Sequence, residues 1–216
     1  MKIIEQELLE LKKRLANVFE DPTENDILKT FILNGSKYIR SAIAILYLKM
    51  QEIEITDKVF EVLIVGELLH NASLLHDDVI DNADLRRGKT TISKKYSSKV
   101  SILSGDYLLS VAIRRLFELD NKKVVELFNN CSQAMIEAEF KQFFLREKMP
   151  TMDEYLDICK GKTATLFSVI LKSVALISGL SCEDAEIFGE KFGLSFQQII
   201  IFNKINRLIK DEEPVS

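Results

Sequence analysis

The sequence predicts a mostly α-helical protein, and two observations lead to that prediction. The 216 residues include only 8 glycines and 3 prolines. Average usage would give about 26 glycines and prolines together in a chain of this length. A β-sandwich or barrel needs frequent turns, and so few turn-forming residues do not supply them. Apolar residues also recur at the three- and four-residue spacing of a buried helix face along almost the whole chain.

The periodic segments give a helix order. The predicted helices cover 4–18, 24–33, 38–50, 57 to beyond 81, 101–119, 121–147, 151–179 and 182–209. The first ends near Asp21-Pro22, because proline cannot continue a helix, and Asn34-Gly35-Ser36 is a turn signal. The segment 82–98 mixes charges, threonines and a glycine, which indicates a loop with a short helix. With no repeat and no linker, we expect one all-α domain over 1–216.

Composition excludes several classes of protein. The net charge is −4 with 29% charged and 47% hydrophobic residues, so general nucleic-acid binding is not expected. The longest apolar stretch, 168–180, is interrupted by Lys172 and is shorter than the roughly 20 residues of a spanning helix. Cys131, Cys159 and Cys182 form no closely spaced pattern, which favours a reducing, cytoplasmic setting without disulfides.

Three carboxylates occur together where the fourth helix is predicted to end, at Asp77, Asp78 and Asp81. Asp77 and Asp81 are four residues apart and share one helix face, with Asp78 beside them. Carboxylates at the C-terminal end of a helix repel one another and oppose the helix dipole. Mg²⁺ would offset this cost, since it prefers oxygen ligands and often bridges a carboxylate to a phosphate. The alternative is ordinary surface charge at a solvated helix end.

Basic side chains follow the carboxylates. Arg86 and Arg87 come five and six residues after Asp81, and guanidinium groups bind phosphate oxygens well. This order predicts a diphosphate held between metal-binding carboxylates and arginines. His70 lies seven residues before Asp77 and shares its helix face. A lone histidine is more often structural, but this one lies on the face where a second diphosphate would bind.

These motifs resemble those of the trans-prenyltransferases, or polyprenyl diphosphate synthases. That family has a DDxxD motif followed by RRG, and this chain reads DDVID at 77–81 and RRG at 86–88. The other matching stretches are ELLHNASLLH at 67–76, GDYLL at 105–109, KTATL at 162–166, and a GExxQ-like motif with Ala138, Glu139 and Gln142. Together they cover about 30–197, which is most of the chain.

The resemblance implies an isoprenoid-synthase bundle of helices around a central cavity. It implies condensation of isopentenyl diphosphate with an allylic prenyl diphosphate in isoprenoid biosynthesis, with Mg²⁺ as the cofactor. In such enzymes the allylic diphosphate ionises, the double bond of isopentenyl diphosphate attacks the carbocation, and a proton is lost. Family members are homodimers or heterodimers, so we expect a dimer.

The resemblance also implies residue roles by position in the motifs. Asp77, Asp78 and Asp81 would bind Mg²⁺, and these three together with Lys162 are the expected catalytic residues. Arg86 would contact the allylic diphosphate and Arg87 the isopentenyl diphosphate. The other expected contacts are Lys37, Arg40 and His70 for isopentenyl diphosphate, and Lys162, Thr163 and Gln197 for the allylic substrate.

Product length is partly readable from the same resemblance. In the family, a bulky aromatic residue four or five positions before the first aspartate stops chain growth, and here those positions hold Ser73 and Ala72. Small side chains at both positions imply a longer prenyl product. The alternative is that another residue, around Tyr107 or Phe117, closes the tunnel.

The chain departs from the family pattern in two motifs. GSKYIRS at 35–41 only partly matches GGKRxRP, because Tyr38 and Ser41 replace an arginine and a proline. The second aspartate-rich motif is missing: the expected aspartate positions hold Ile200, Ile201 and Lys204, and a shifted pair, Asn203 and Asn206, carries no charge. Loss of the anionic half of a metal clamp would lower kcat by orders of magnitude.

Residues 198–216 also depart from the family, whose members usually continue with further helices. Their Ile, Asn, Lys and Phe content is typical of A/T-rich codons and leads to the hypothesis of a shifted or truncated reading frame. The alternative is a short protein whose last helix is a core helix. Three functions stay open: an active synthase, a non-catalytic or regulatory subunit with a diphosphate-binding half-site, and a folded inactive homologue. A terpene cyclase fits less well, because Arg207 occupies a metal-ligand position.

Overall fold

The computed structural model of the protein describes residues 2–18, 22–33, 36–86, 88–146, 148 and 150–211, with the backbone alone at 2, 22–26 and 203–211. The helices are α1 (Glu5–Ala16), α2 (Pro22–Leu33), α3 (Ile39–Met50), α4 (Asp57–Ile80), α5 (Ile92–Lys95), α6 (Ser98–Glu118), α7 (Lys122–Phe144), α8 (Met152–Cys159), α9 (Thr165–Ile177) and α10 (Cys182–Asp211). Leu85–Arg86 (β1) and Lys89–Thr90 (β2) form a short antiparallel hairpin. The predicted all-α fold is confirmed.

The chain groups into two compact units, Met1–Val125 and Glu126–Ser216, and the division falls in the first turn of α7. In the first unit, α4 is the central helix, and residues 62–69 are all buried. Thr56 caps its N-terminus by accepting a hydrogen bond from the Val59 N–H. The helix is long and apolar enough to cross a membrane, but 72% of its apolar window is buried in the protein, as in a core helix.

Contact between α4 and α6 is close and includes a buried polar tie. The hydroxyl of Ser101 donates to the carbonyl of Leu75 at 2.8 Å. Gly105 lies one turn further along α6, and a Cβ built on it would meet the ring of His76 at 2.3 Å. A glycine at this position therefore lets the histidine ring lie against the backbone of α6.

In the second unit, α10 approaches α9 and Ala164, the residue before α9, through small residues. A Cβ on Gly189 would lie 2.6 Å from the Cα of Ser168, and one on Gly193 would lie 2.6 Å from the Cα of Ala164. Gly189 and Gly193 are four residues apart, and so are Ser168 and Ala164. The same close contact therefore occurs twice, one helical turn apart. Phe167 packs against Phe192 and Phe196 beside them.

The predicted helix 151–179 is divided in the structure. A capping box between Thr151 and Glu154 starts α8, and a π-helical turn, Lys160–Ala164, then joins α8 to α9. Within this turn Gly161 lies so close to α7 that an added Cβ would meet the Cβ of Ala138 at 2.5 Å. π-helical turns are rare and often occur at functional sites.

Candidate functional site

The aspartate-rich motif lies at the C-terminal end of α4, but its carboxylates do not share one environment. Asp77 is half-buried and Asp81, the residue that caps the helix, is exposed, whereas Asp78 is 0% exposed. Asp77 and Asp81 are separated by one helical turn, while Asp78 is rotated by about 100° from Asp77. The three acids therefore divide into an outer pair and one buried member.

Asp78 is paired with the first arginine of the RRG motif. The Nε of Arg86 donates to Oδ1 of Asp78 at 2.6 Å, and Oδ2 of Asp78 is buried with no hydrogen-bond partner among the described residues. Burial raises the pKa of Asp78 above its ordinary value, although the charge and hydrogen bond of Arg86 act in the opposite direction. Arg87 lies outside the described residues.

The hairpin that carries Arg86 is tied to α4 by its backbone. The N–H of Ala83 donates to the carbonyl of Asp78 at 3.0 Å, and the N–H of Thr91 donates to the carbonyl of Asp84 at 3.1 Å. The hydroxyl of Thr91 donates to the carbonyl of Ala83 at 2.7 Å. Asp78 thus contacts the following loop through both its backbone and its carboxylate.

Across the described part of the chain, no three His, Cys, Asp or Glu side chains form a group that could hold a metal ion. An all-protein metal site is therefore not assembled there. Mg²⁺, however, usually binds one or two carboxylates and completes its octahedron with waters and substrate phosphates. The carboxylates of Asp77 and Asp81, one turn apart at a helix end, supply that kind of donor set, so the residues present fit Mg²⁺.

Two histidines precede the acidic motif on α4. Nε2 of His76 lies 3.2 Å from Oδ1 of Asp106 on α6. This contact matches a structural hydrogen-bonding role for His76. His70 is half-buried two turns before the motif.

The predicted isopentenyl diphosphate motif lies around the start of α3. Lys37 is exposed and Arg40 is half-buried, and between them Tyr38 has a left-handed backbone with φ of 47°. The hydroxyl of Tyr38 donates to the carbonyl of Ile32 at 3.2 Å. Ser41, where the family has proline, donates to the buried carboxylate of Glu67 at 2.6 Å. The sequence analysis did not predict this hydrogen bond between α3 and α4, although a glutamate within the apolar stretch 62–69 was its signal.

In the second unit, motifs that are far apart in sequence come together. Lys162 forms an ion pair with Glu139 and donates to Oε1 of Gln142 at 3.1 Å. Its neighbour Thr163 donates to Oε1 of Gln197 at 3.2 Å. The structure therefore brings the GExxQ-like motif and the glutamine of α10 into contact with two adjacent residues of the lysine–threonine motif.

Two of the three positions of the missing second aspartate motif hold partly exposed apolar side chains. Ile200 is 44% exposed on α10 and Ile201 is half-buried. The side chains of Asn203, Lys204 and Asn206 lie outside the described residues.

The sequence matches the polyprenyl synthetase family over residues 22–199. It is 31% identical over 210 residues to solanesyl-diphosphate synthase 2 of Oryza sativa subsp. japonica, covering 92% of this chain and 52% of the relative. It is 32% identical over 181 residues to a short chain isoprenyl diphosphate synthase of Methanocaldococcus jannaschii, and the match covers 78% of this chain and 54% of the relative.

Solved structures give the same result for the fold. A decaprenyl diphosphate synthase from Rhodobacter capsulatus superposes with a TM-score of 0.84 at 25% identity, over 91% of this chain and 62% of that chain. A geranyltranstransferase from Thermotoga maritima superposes with a TM-score of 0.82 at 26% identity, over 94% of this chain and 77% of that chain. The chain spans about half the length of the curated relatives it matches. On the extent of the sequence match and the shared fold, the chain belongs to the polyprenyl synthetase family.

Proposed function

We propose that the protein is a Mg²⁺-dependent trans-prenyltransferase that elongates an allylic prenyl diphosphate with isopentenyl diphosphate. The observation that carries the proposal is the outer carboxylate pair, Asp77 and Asp81, followed by an arginine that is already held in place. Bound Mg²⁺ would stabilise the charge that develops on the leaving diphosphate. The family match and the curated relatives, which are prenyl diphosphate synthases, support this reading.

The chain's own residues have distinct tasks in this proposal. Asp77 and Asp81 hold the metal, with Asp78 next to them, and Arg86 binds the allylic diphosphate. The remaining proposed contacts are Lys37, Arg40, His70 and Arg87 for isopentenyl diphosphate, and Lys162, Thr163 and Gln197 for the allylic substrate. Cationic donors of this kind lower the barrier because they stabilise diphosphate more strongly as it leaves than while it is still esterified.

Three finer points extend the proposal. Small residues at 72 and 73 favour a product longer than the shortest prenyl diphosphates. Exposed apolar side chains on α6, namely Leu103, Ile113 and Phe117, favour burial of that face in a dimer. A cytoplasmic location agrees with the cysteine usage.

A second candidate function is a non-catalytic subunit that keeps only a diphosphate-binding half-site. The isoleucines at 200 and 201, where the family has aspartates, favour it. Such a subunit would bind Mg²⁺ and diphosphate through the first motif but would not turn over.

One experiment separates the two candidates. The purified protein is incubated with Mg²⁺, labelled isopentenyl diphosphate and farnesyl diphosphate, and products are separated by chain length. Asp77→Asn tests the motif, and Asp84→Asn, an exposed acid paired with Lys94, is the matched control. Elongation that only Asp77→Asn abolishes supports the enzyme. Mg²⁺-dependent diphosphate binding without elongation supports the subunit, and absence of both contradicts both.

A further inference from the structure

The segment 85–99, which forms the hairpin, α5 and the first residues of α6, differs in charge from the rest of the protein. It carries six lysines and arginines and no aspartate or glutamate, although the whole chain has a net charge of −4. We propose that this segment, called the basic segment below, is a docking surface for the anionic face of a lipid bilayer. Binding of this kind is peripheral and reversible, and it does not depend on the proposed reaction.

The lysines of the basic segment reach solvent. Lys89, Lys94, Lys95 and Lys99 are all exposed. Lys94 pairs with Asp84 at 3.1 Å, but both side chains of this pair are more than half exposed, and an exposed ion pair contributes little to stability. The cations are therefore available to an extended anionic surface, where each one strengthens binding by about fivefold.

Apolar side chains lie among these cations and are exposed as well. Leu85 is 66% exposed in β1, and Tyr96 is 45% exposed at the C-terminal end of α5. The ammonium of Lys95 lies 5.1 Å from the centre of the Tyr96 ring. Tyrosine is favoured at the level of lipid headgroups, because its ring is apolar and its hydroxyl is polar. Cations interleaved with apolar side chains fit a bilayer surface better than free phosphate, which offers no apolar contact.

Hydrogen bonds hold the basic segment together. The N–H of Thr91 donates to the carbonyl of Asp84 at 3.1 Å, and the hydroxyl of Thr91 accepts from the N–H of Lys94 at 3.1 Å. The hydroxyls of Ser93 and Ser98 lie 3.1 Å apart and connect α5 to the start of α6. The cations and apolar side chains are therefore held in one compact part of the first unit, and binding does not have to order this backbone.

An exposed pair of lysines on α1 has a different setting and supplies a control. Lys12 and Lys13 are exposed, but three glutamates occur within residues 5–10 of the same helix. An anionic surface would therefore meet both signs of charge there. Leu9 is 69% exposed on α1, close to the 66% of Leu85. The same charge and a similar apolar area can thus be removed from either place.

The test measures sedimentation of the purified full chain with lipid vesicles. One set of vesicles contains phosphatidylcholine alone, and the other contains phosphatidylcholine with phosphatidylglycerol. Lys94→Gln/Lys95→Gln removes two cations from the basic segment, and Lys12→Gln/Lys13→Gln is the matched control. Thermal melting reports the folding of every variant. Binding to inorganic pyrophosphate with Mg²⁺ and to polyuridylate is measured on the same proteins.

A second set of variants tests the apolar contact. Leu85→Ser is compared with Leu9→Ser, which removes the same side chain from α1. Because the chain contains no tryptophan, Tyr96→Trp introduces a single fluorescent probe into the basic segment, and Leu9→Trp is its control. Entry of the indole ring into the headgroup region shifts its emission to shorter wavelength.

Docking on an anionic bilayer predicts a specific pattern. Binding should require phosphatidylglycerol and should be lost when NaCl is raised from about 0.1 M to about 1 M, which shortens the Debye length from about 10 Å to about 3 Å. Lys94→Gln/Lys95→Gln should weaken binding by about thirtyfold, whereas the α1 pair should change it by less than about threefold. Leu85→Ser should weaken it by about fivefold, and only Tyr96→Trp should show the emission shift.

Four results would overturn the inference. The first is an equal loss of vesicle binding in the two double-lysine variants, which would show that net charge alone matters. The second is displacement of the protein from vesicles by inorganic pyrophosphate with Mg²⁺, which would assign the contact to the diphosphate site. The third is binding of polyuridylate without binding of vesicles, and the fourth is failure of the folded wild type to bind anionic vesicles. The elongation assay of the proposed function uses no vesicles, so either proposal can fail without the other.

Discussion

The ring of His76 occupies the space that a side chain at residue 105 would need. A Cβ on Gly105 would lie 2.3 Å from Nε2 of His76, and that nitrogen lies 3.2 Å from Oδ1 of Asp106. The glycine, the histidine and the aspartate are therefore one arrangement, which joins α6 to α4 beside the acidic motif. The GDYLL stretch thus has a local steric reason for its glycine.

Gly105→Ala tests this arrangement. Crowding of a packed contact costs about 1–3 kcal/mol, and alanine returns about 1 kcal/mol of helix propensity, so we expect a net loss of about 1 kcal/mol in the free energy of unfolding. In the His76→Ala background the same change should become stabilising, because only the propensity gain is left. Urea unfolding of the wild type, Gly105→Ala, His76→Ala and the double variant measures the effect of Gly105→Ala in both backgrounds. A loss of equal size in both backgrounds would show that the His76 ring is not the obstacle.

The helix boundaries were predictable because they depend on local patterns. Apolar periodicity located α3 and α4 to within about two residues, and both ends of α4 carry polar residues. The pairing of the Asp78 carboxylate with Arg86 was not predicted from the sequence. Arg86 lies eight residues later, in a hairpin where the sequence predicted a loop with a short helix. The available signal was helix geometry, because a rotation of 100° per residue places Asp78 on a different face from Asp77 and Asp81. The π-helical turn at Lys160–Ala164 was also missed, because the close approach of Gly161 to Ala138 is a tertiary contact.

Gly193→Ala tests the close approach of α10 to the π-helical turn that precedes α9. The added Cβ would lie 2.6 Å from the Cα of Ala164, and a backbone atom cannot turn away as a side chain can. We expect a loss of about 1–3 kcal/mol in the free energy of unfolding, in spite of the better helix propensity of alanine. Lys191→Ala, an exposed position on the same helix, is the control and should change stability by less than about 0.5 kcal/mol. Equal stability of Gly193→Ala and wild type would contradict the close packing.

Lys162→Met tests the ion pair of the second unit. Glu139 is only 15% exposed at its side chain and Lys162 is the cation beside it. Removal of the lysine leaves a largely buried carboxylate without its counter-charge, so we expect a loss of about 2 kcal/mol. Adding Glu139→Gln to the Lys162→Met variant should restore most of the lost stability. Lys160→Met removes a more exposed pair with Glu190 and should cost less than about 1 kcal/mol. A double variant as unstable as Lys162→Met would contradict this account.

The pair between Glu7 of α1 and Lys49 of α3 predicts a pH dependence of stability. Burial raises the pKa of Glu7, but the hydrogen bond from Lys49, a backbone hydrogen bond within Glu7 and the charge of Lys49 together outweigh it, so the pKa lies below its ordinary value of 4.5. A carboxyl with a lowered folded-state pKa stabilises the protein above its unfolded pKa and loses that contribution as pH falls through the folded value. Glu7→Gln should therefore lower stability by about 1 kcal/mol at neutral pH, and the difference should shrink as the pH falls below 4.5 and vanish below the lowered folded-state pKa. Glu54→Gln controls for net charge, and a difference that persists in acid would contradict the assignment.

The last prediction concerns product length. Ala72 is fully buried, whereas Ser73 is half-buried and its hydroxyl donates to the carbonyl of His70 at 2.9 Å. Of these two positions, only 73 therefore has a side chain that is not fully enclosed by the protein. We expect Ser73→Phe to shorten the prenyl product of an active enzyme, measured by chromatography of the dephosphorylated products.

Ala72→Phe is the matched comparison for that experiment. It should destabilise the protein by about 1–3 kcal/mol, because the ring would enter the core. Tyr107 and Phe117, the other residues considered as a tunnel floor, are 43% and 70% exposed, and an exposed ring does not close a tunnel within the same chain. Unchanged product length in an active, folded Ser73→Phe variant would therefore locate the floor at a position other than these four.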